Sequence, residues 1–373
     1  MITKETSSFE SGNLNIFYDI YLPQNPRSTL IQISHGMVEH RGKYEFIATK
    51  LAQNGFIVVV SDHRGHGDSI SANADIIDST HITADSKSNI ASFNHTSNIT
   101  KDSLDSTYST HNQTSSTAKD STNNRIKNEI FWGEMGENGF EMVVSDIYKL
   151  NCILRERFAP KKIVLIGHSM GSLIARRFLQ KYENSLDMLV LCGTPYPQRF
   201  VSLGIILLKV LRFFGINGIG ADLAYRLSFL AFNSKYYKFD DLDNGKQSGI
   251  LWVNRDIDEL KRTLKDPKCR FIFTINSFIN LLCGLRQVFS KYENKVQNPN
   301  LPILFISGED DACGDFGRGV LSALKHINSQ GYDNAKMILY AKARHEILLE
   351  LNKDEVARDL ISWIESNLME SNE

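Results

Sequence analysis

The stretch IVLIGHSMGSLIAR, residues 163–176, places one serine between two glycines where a strand-like run gives way to a helix-like run. The β-branched residues before the serine predict a buried strand, and the spacing after it predicts a helix, with no room for an ordinary loop. Gly167 and Gly171 would let strand and helix approach closely while Ser169 takes a strained backbone conformation. The helix N-terminus beneath Ser169 favours the negative charge that develops in acyl transfer. We therefore predict that Ser169 is a nucleophile.

A serine nucleophile needs a histidine base and a carboxylate that orients the histidine. In this type of strand–serine–helix turn the chain order is serine, acid, histidine, and only His326 and His345 follow Ser169. We choose His345 because it follows the last predicted strand, whereas His326 lies in a helix-like stretch. Asp311 is the predicted acid because it comes just after the strand ILFISG, and Asp310 is the second choice.

The oxyanion formed in acyl transfer needs two backbone N–H donors. One is predicted to be Met170, directly after the nucleophile, and the other Met37, in the loop HGMVEHRGKY that follows the strand TLIQIS. Gly36 is expected to let this loop turn so that the N–H of Met37 points inward. The residues predicted to line the pocket are Gly36, Glu39, His168 and Cys313.

The motif SDHRGHGDS, residues 61–69, follows the next predicted strand. A metal site built on His63 or His66 is one interpretation, but no other ligand cluster has matching spacing. We favour a structural loop beside the site, in which Asp62 and Arg64 pair with each other. No metal and no other cofactor is predicted.

Short apolar strands alternate with helix-like stretches over most of the chain, which predicts an α/β fold with a mostly parallel central sheet flanked by helices. From about 71 to 128 the composition collapses to Ser, Thr, Asn and Asp, and we expect a disordered insertion. Residues 196–297 are helical and apolar, and we expect them to form a cap over the carboxyl ends of the strands. The core would then comprise 1–195 and 298–373.

Composition excludes several classes of protein. The chain has 373 residues and a formal net charge of −1, so no global field favours nucleic acid. The N-terminus lacks the apolar segment of a secretory signal, and no apolar run approaches the roughly 20 residues of a membrane span. Five scattered cysteines favour free thiols in a reducing cytoplasm. The cap segment LGIILLKVLRFFGI is too apolar for an exposed helix, so it either packs on its own domain, or part of it touches lipid or lines an acyl tunnel.

The motifs HGMVEHRGKY, DHRGHGDS, GHSMGS, SGEDDACGDFG and RHEILLE occur in the order found in the monoglyceride lipase and lysophospholipase branch of the α/β-hydrolases. The chain resembles a bacterial member of that branch, except over about 71–128. The resemblance implies the α/β-hydrolase fold and hydrolysis of a carboxylic ester on one long acyl chain, under a helical cap and without a cofactor. The chain differs at Val38, where lipases of the branch often have Gly, and at Ala312-Cys313, where many relatives have Pro-Val.

These observations together predict a serine ester hydrolase whose partner is a small lipid ester. A monoacylglycerol is favoured over a lysophospholipid because no clustered Arg or Lys marks a phosphate site. The expected location is the cytoplasm, with contact between the cap and a membrane left open, as is the oligomeric state. Three alternatives remain: a general short-chain carboxylesterase, a non-catalytic scaffold that binds through the polar insertion, and an aminopeptidase or amidase. The last would need a carboxylate in the cap, such as Asp256 or one in the run FDDLDNG.

Overall fold

The computed structural model describes residues 1–71, 130–234, 236 and 248–370. Its strands are β1 (Ile2–Ser11), β2 (Leu14–Pro23), β3 (Thr29–Ser34), β4 (Ile57–Ser61), β5 (Lys162–His168), β6 (Met188–Cys192), β7 (Ile303–Gly308) and β8 (Ala335–Tyr340). Its main helices are α1 (Glu45–Gln53), α2 (Gly139–Phe158), α3 (Met170–Tyr182), α4 (Val201–Phe213), α5 (Asn217–Tyr225), α6 (Ile257–Lys265), α7 (Ile275–Val288), α8 (Arg318–Gln330) and α9 (Lys353–Glu370). Apart from its first residue, the predicted insertion lies outside the described residues, and so does the run FDDLDNG.

The described strands form one eight-stranded sheet in the order β1-β2-β4-β3-β5-β6-β7-β8. The pairs β1–β2 and β2–β4 are antiparallel, and every other pair is parallel. Strands β3 and β6 are buried along their whole length, as expected for parallel strands that are covered on both faces. The predicted α/β fold with a mostly parallel sheet is confirmed.

Side chains of β5 alternate between two apolar layers, because successive residues of a strand point to opposite faces of the sheet. Val164 and Ile166 pack in the layer that contains α1 and α9. Leu165 packs in the layer that contains α2 and α3. Helices therefore cover both faces, and the loops that can carry a site emerge at the carboxyl ends of the parallel strands.

Helices α4, α5, α6 and α7 lie between β6 and β7, within the stretch predicted to be helical. Helix α7 contacts α4 and also the core helices α2 and α3. None of the helices in the described ranges is long and apolar enough to cross a membrane. The five cysteines are all unpaired, as the sequence predicts.

Candidate active site

The turn between β5 and α3 consists of Ser169 alone, with φ of 53° and ψ of −117°. This φ lies in the left-handed region, which is costly for any residue with a side chain. A Cβ at Gly167 would collide with the backbone of Gly171, and a Cβ at Gly171 would collide with that of Ser34. Glycine is therefore required at both positions for space, and Ser169 stays partly exposed at the tip of the turn.

Three side chains from separate loops form a hydrogen-bonded chain at the carboxyl edge of the sheet. His345 Nε2 lies 2.8 Å from Ser169 Oγ, and His345 Nδ1 lies 3.0 Å and 3.1 Å from the Asp311 oxygens. Asp311 is fully buried and accepts hydrogen bonds from Ser307 Oγ and the N–H of Cys313. Burial would raise the pKa of Asp311, but the charge and hydrogen bond of His345 outweigh it, and the pKa is lowered. An ionised Asp311 accepts the Nδ1–H, which leaves Nε2 facing the serine.

The alternative candidates for acid and base are placed differently. His326 lies on α8, where its Nε2–H donates to the carbonyl of Ser290 at 3.1 Å. Asp310 donates its backbone N–H to the carbonyl of Ala343 at 2.9 Å, and the His345 ring bonds to Asp311 instead. The structure thus brings Asp311 and His345 to Ser169, the combination that the strand positions favoured.

The predicted oxyanion donors belong to two elements that meet at the turn. Met170 is the first residue of α3, where helical N–H groups lack partners within the helix, and Met37 packs in the same apolar cluster. Val38 has φ of 58°, which is strained for a β-branched residue and would be relieved by Gly. Gly36 does not have a positive φ, and its role in turning the loop stays a prediction. It supplies space, because a Cβ there would lie 2.9 Å from Glu39 Oε2.

Three predicted pocket residues, Glu39, His168 and Cys313, are buried and bonded within the protein. Glu39 accepts the N–H of Gly36 at 2.8 Å, and His168 Nε2 donates to the carbonyl of His345 at 3.2 Å. Cys313 packs in an apolar cluster with residues of the predicted cap, such as Trp252 and Leu260. Burial, and then the charge of Asp311, raise the pKa of the Cys313 thiol well above its ordinary value, so it stays neutral. Their role in lining a pocket stays a prediction.

Sequence reasoning missed Trp252, whose ring centroid lies 5.0 Å from that of His345. Phe229 and Phe232 flank Trp252 at ring distances of 6.1 Å and 5.0 Å and complete an aromatic group next to the histidine. No motif marks this contact, because it joins two elements far apart in the chain. An aromatic residue in an apolar segment gives no separate signal.

The motif SDHRGHGDS is a structural loop with different partners from those expected. Asp62 pairs with Arg41, and Arg64 pairs with Asp146 of α2 at 2.8 Å, so the predicted Asp62–Arg64 pair is wrong. Each charge finds a buried partner of opposite sign on another element, which local sequence cannot reveal.

The histidines of this loop, His63 and His66, pack with His35 at ring distances of 4.0 Å to 6.1 Å. No carboxylate in the described part of the chain hydrogen-bonds to these rings. Burial, and then repulsion between neighbouring rings, lower the pKa of His63 to about 3. Burial lowers the pKa of His66 to about 4. The three rings are therefore neutral core residues.

His40, Asp266 and Cys269 each offer one possible metal-ligand atom, all within 4.8 Å of one another. His40 Nδ1 accepts the N–H of Gly42 at 3.2 Å, so Nε2 carries the hydrogen and donates to Asp266 at 2.8 Å. Both imidazole nitrogens are thus occupied. The arrangement is a hydrogen bond that connects the loop after β3 to residues of the predicted cap.

The chain matches a family described as "Serine aminopeptidase, S33" (Hydrolase_4) over residues 24–101 and 132–352. It is 35% identical over 66 residues to a monoacylglycerol lipase of Mycolicibacterium smegmatis, covering 17% of this chain and 24% of that protein. It is 22% identical over 362 residues to a monoglyceride lipase homolog of Monkeypox virus, covering 95% and 96% of the two chains. It is 25% identical to a probable lysophospholipase L2 of Haemophilus influenzae over 60% of this chain and 65% of that protein.

Among solved structures, the chain is similar to a thermostable carboxyl esterase from Bacillus coagulans in complex with glycerol. The TM-score is 0.68 at 22% identity, and the match covers 98% of this chain and 99% of that chain. At this identity the likeness shows the α/β-hydrolase fold, in agreement with the order of strands in the sheet.

Proposed function

The chain belongs to the Hydrolase_4 family of serine hydrolases with the α/β-hydrolase fold, and from this premise we propose that it hydrolyses the ester of a single long acyl chain in a monoacylglycerol or a lysophospholipid. The hydrogen-bonded chain from Ser169 through His345 to Asp311 is the observation that carries the proposal. The substrate class is supported by relatives that include a monoacylglycerol lipase and a probable lysophospholipase.

In the proposed reaction, Ser169 Oγ attacks the ester carbonyl while His345 Nε2 takes its proton. Asp311 holds the imidazole in the tautomer that can accept this proton and stabilises the imidazolium that forms. The N–H groups of Met37 and Met170 bind the oxyanion of the tetrahedral intermediate. His345 then returns the proton to the leaving alcohol, and water, activated by the same histidine, releases the fatty acid from Ser169.

A long acyl chain is supported by the apolar surroundings of His345 on the cap side. The aromatic group of Phe229, Phe232 and Trp252 approaches His345 directly. Apolar and aromatic side chains with few polar groups are typical of sites that bury a lipid tail. We assign this group, and the proposed cap of residues 196–297, to acyl-chain binding.

The head group is proposed to be uncharged glycerol in preference to a phosphate ester. Arg344 precedes His345 in the chain, Lys43 contacts the residue that follows it, and both basic side chains are engaged within the protein. Arg344 donates to the carbonyls of Leu251 and Asn254, and Lys43 pairs with Glu346. A phosphate would have to compete with these partners, whereas a glycerol hydroxyl would not.

The proposal includes contact between the outward face of α4 and an anionic membrane surface. Side chains on this face are exposed although they are apolar, for example Leu203 at 64% and Phe213 at 85%. Residues 188–221 contain no Asp or Glu but contain Arg199, Lys209 and Arg212. An apolar face with basic neighbours and no acid suits the boundary of an anionic bilayer.

The test compares turnover of monooleoylglycerol, lysophosphatidylcholine, a short-chain nitrophenyl ester and an aminoacyl nitroanilide, with Ser169→Ala as the control. We expect strong preference for monooleoylglycerol and no turnover by Ser169→Ala, which should remain folded. Ester cleavage retained by Ser169→Ala would show that Ser169 is not the nucleophile. Activity on the short ester alone would make the protein a general esterase.

The anilide in this test addresses the peptidase alternative, which the family description raises. Asp256 is the candidate for binding an amine. Its side chain already accepts the backbone N–H groups of Asp258 and Glu259 at the N-terminus of α6. Its carboxylate also lies 3.8 Å from Lys353 Nζ. These contacts disfavour Asp256 as an amine site. Turnover of the anilide would nevertheless overturn the lipase proposal, and failure of a fluorophosphonate probe to label Ser169 would favour a non-catalytic role.

A further inference from the structure

Beneath the Ser169 turn, three buried side chains link the loops of the candidate site. Tyr44 Oη lies 2.6 Å from Glu39 Oε2 and 2.9 Å from His168 Nδ1. His168 Nε2 in turn lies 3.2 Å from the carbonyl oxygen of His345. Glu39, Tyr44 and His168 are all less than a tenth exposed, so water does not complete these contacts from bulk solvent.

The three contacts require three hydrogens. A carbonyl oxygen only accepts, so His168 Nε2 must carry a hydrogen that it donates to His345. An ionised Glu39 also only accepts, so the Tyr44 hydroxyl donates to it. The contact between Tyr44 Oη and His168 Nδ1 then needs a hydrogen on Nδ1, since two lone pairs would otherwise face each other at 2.9 Å. The group therefore holds one proton more than a neutral imidazole and an ionised carboxylate would.

The surrounding charges place the extra proton on His168 and not on Glu39. Burial would lower the pKa of His168, but the Glu39 carboxylate and then Glu346 outweigh it, and the pKa is raised. Burial would raise the pKa of Glu39, but His168 and then Lys43 hold it well below its ordinary value. The other titratable groups that face this pair are Tyr44, His345, His35, His63, His66 and Cys269.

The pair is connected to each loop that the proposed reaction uses. Glu39 Oε2 accepts the N–H of Gly36 at 2.8 Å, one residue before the proposed oxyanion donor Met37. His168 directly precedes Ser169, and its Nε2–H holds the backbone of His345. Loss of either partner would release the oxyanion loop and the histidine loop together.

We propose that an ionised Glu39 and a doubly protonated His168 form a positioning pair. The pair holds the oxyanion loop, the Ser169 turn and the His345 loop in fixed positions relative to one another. This proposal rests on the proposed roles of Ser169, His345 and Met37. In this role Glu39 and His168 act through the loops that they hold and not through a bond to the reacting atoms. Loss of the proton on His168 Nδ1 would remove the hydrogen from the Tyr44–His168 contact and loosen the oxyanion loop.

The protonation state is tested on the wild-type full chain, with ¹⁵N-labelled histidine and nitrogen-detected NMR spectra assigned by the variant His168→Gln. We expect both ring nitrogens of His168 to be protonated at neutral pH, unlike those of His35, His63 and His66. An unprotonated ring nitrogen on His168 at neutral pH would overturn the proposal. This measurement needs no substrate, so its result does not depend on whether the proposed enzymatic activity is correct.

The positioning role is tested with Glu39→Gln, which keeps the side-chain size and an acceptor for Gly36 but removes the charge. We expect kcat at pH 8 to fall about 10- to 100-fold with little change in KM, and part of the loss to be recovered at lower pH as His168 regains its proton. The kinetic substrate is whichever ester the wild-type protein cleaves fastest.

The matched control is Asp146→Asn, which removes the charge of another buried ion pair, that with Arg64. We expect this control to lower thermal stability but to leave kcat and the pH profile unchanged. A Glu39→Gln protein with wild-type kcat and pH profile would contradict the positioning role. So would an Asp146→Asn protein with the same kinetic defect, because the effect would then be a general loss of stability.

Discussion

The loops around Ser169 and the outward face of α4 differ in the polarity and the burial of their side chains. Around Ser169, buried polar groups are joined by directed hydrogen bonds, such as the 2.8 Å contact between Ser169 and His345. On α4, apolar side chains such as Leu203 and Phe213 are exposed and have no such directed partners. The loops around Ser169 hold the proposed reacting groups in fixed positions, and small displacements of these groups would slow the reaction. On α4 the free energy of membrane binding would depend on how much apolar surface leaves water and not on exact geometry.

The largest expected effect comes from breaking one directed contact. Asp311→Asn keeps the shape of the side chain but presents a hydrogen-bond donor to His345, which favours the wrong imidazole tautomer. We expect kcat on a short-chain ester to fall about 10⁴-fold. Kinetics and thermal unfolding of Asp311→Asn, measured beside Asp310→Asn, check this, since the neighbouring change should leave kcat near wild type. An equal fall in kcat in the two variants would contradict the role of Asp311 as the acid that orients His345.

A smaller effect is expected from the apolar face. The double change Leu203→Ser with Phe213→Ser should weaken binding to vesicles that contain phosphatidylglycerol about tenfold or more, because each side chain loses part of its burial in lipid. Turnover of a short, water-soluble ester should not change. Sedimentation with vesicles measures the binding.

The matched control for that face is Leu351→Ser with Met369→Ser, two apolar residues that are similarly exposed elsewhere on the molecule. This pair should bind vesicles like the wild type. Equal binding by all three proteins, or equal binding to phosphatidylcholine and phosphatidylglycerol vesicles, would mean that α4 is not the membrane-facing surface proposed.

A third effect concerns stability and not activity or binding, and it involves His66, which contacts the rings of Phe271 and Phe273. Burial lowers the pKa of His66 to about 4, so the unfolded chain binds the proton more readily than the folded chain between that pH and about 6.5. Stability therefore falls as pH falls through this window. At pH 5 the contribution of His66 is a loss of about 2 kcal/mol relative to pH 8.

Urea unfolding at pH 8 and pH 5 measures this contribution. His66→Gln can still donate to the carbonyl of Arg64 but has no proton to gain, so its stability should fall less between the two pH values than that of the wild type. His40→Gln, at a half-buried histidine, serves for comparison. An unchanged difference between pH 8 and pH 5 in His66→Gln would show that His66 does not titrate as its burial requires.

Local patterns were sufficient to predict several features of this molecule. The strand ends, the Ser169 turn and the choice of His345 over His326 all follow from where residues stand relative to predicted strands. The parallel sheet then brings those strand ends to one edge, so that residues far apart in the chain become neighbours. A second reason for glycine at position 36 could not be read from the sequence, because the space it supplies is defined by the side chains of Glu39 and His168 after folding.

The strand–serine–helix turn, the order of acid and histidine after it, and the alternation that forms the sheet can all be read from the amino-acid sequence. These depend on backbone conformation and side-chain periodicity, which are properties of short segments. The pairing of Arg64 with Asp146, the contact of Trp252 with His345, and the hydrogen bonds of Tyr44 with Glu39 and His168 became visible only in the folded molecule. Each of these depends on burial and on distances between distant segments, because the strength of a charge or hydrogen bond is set by what surrounds it after folding.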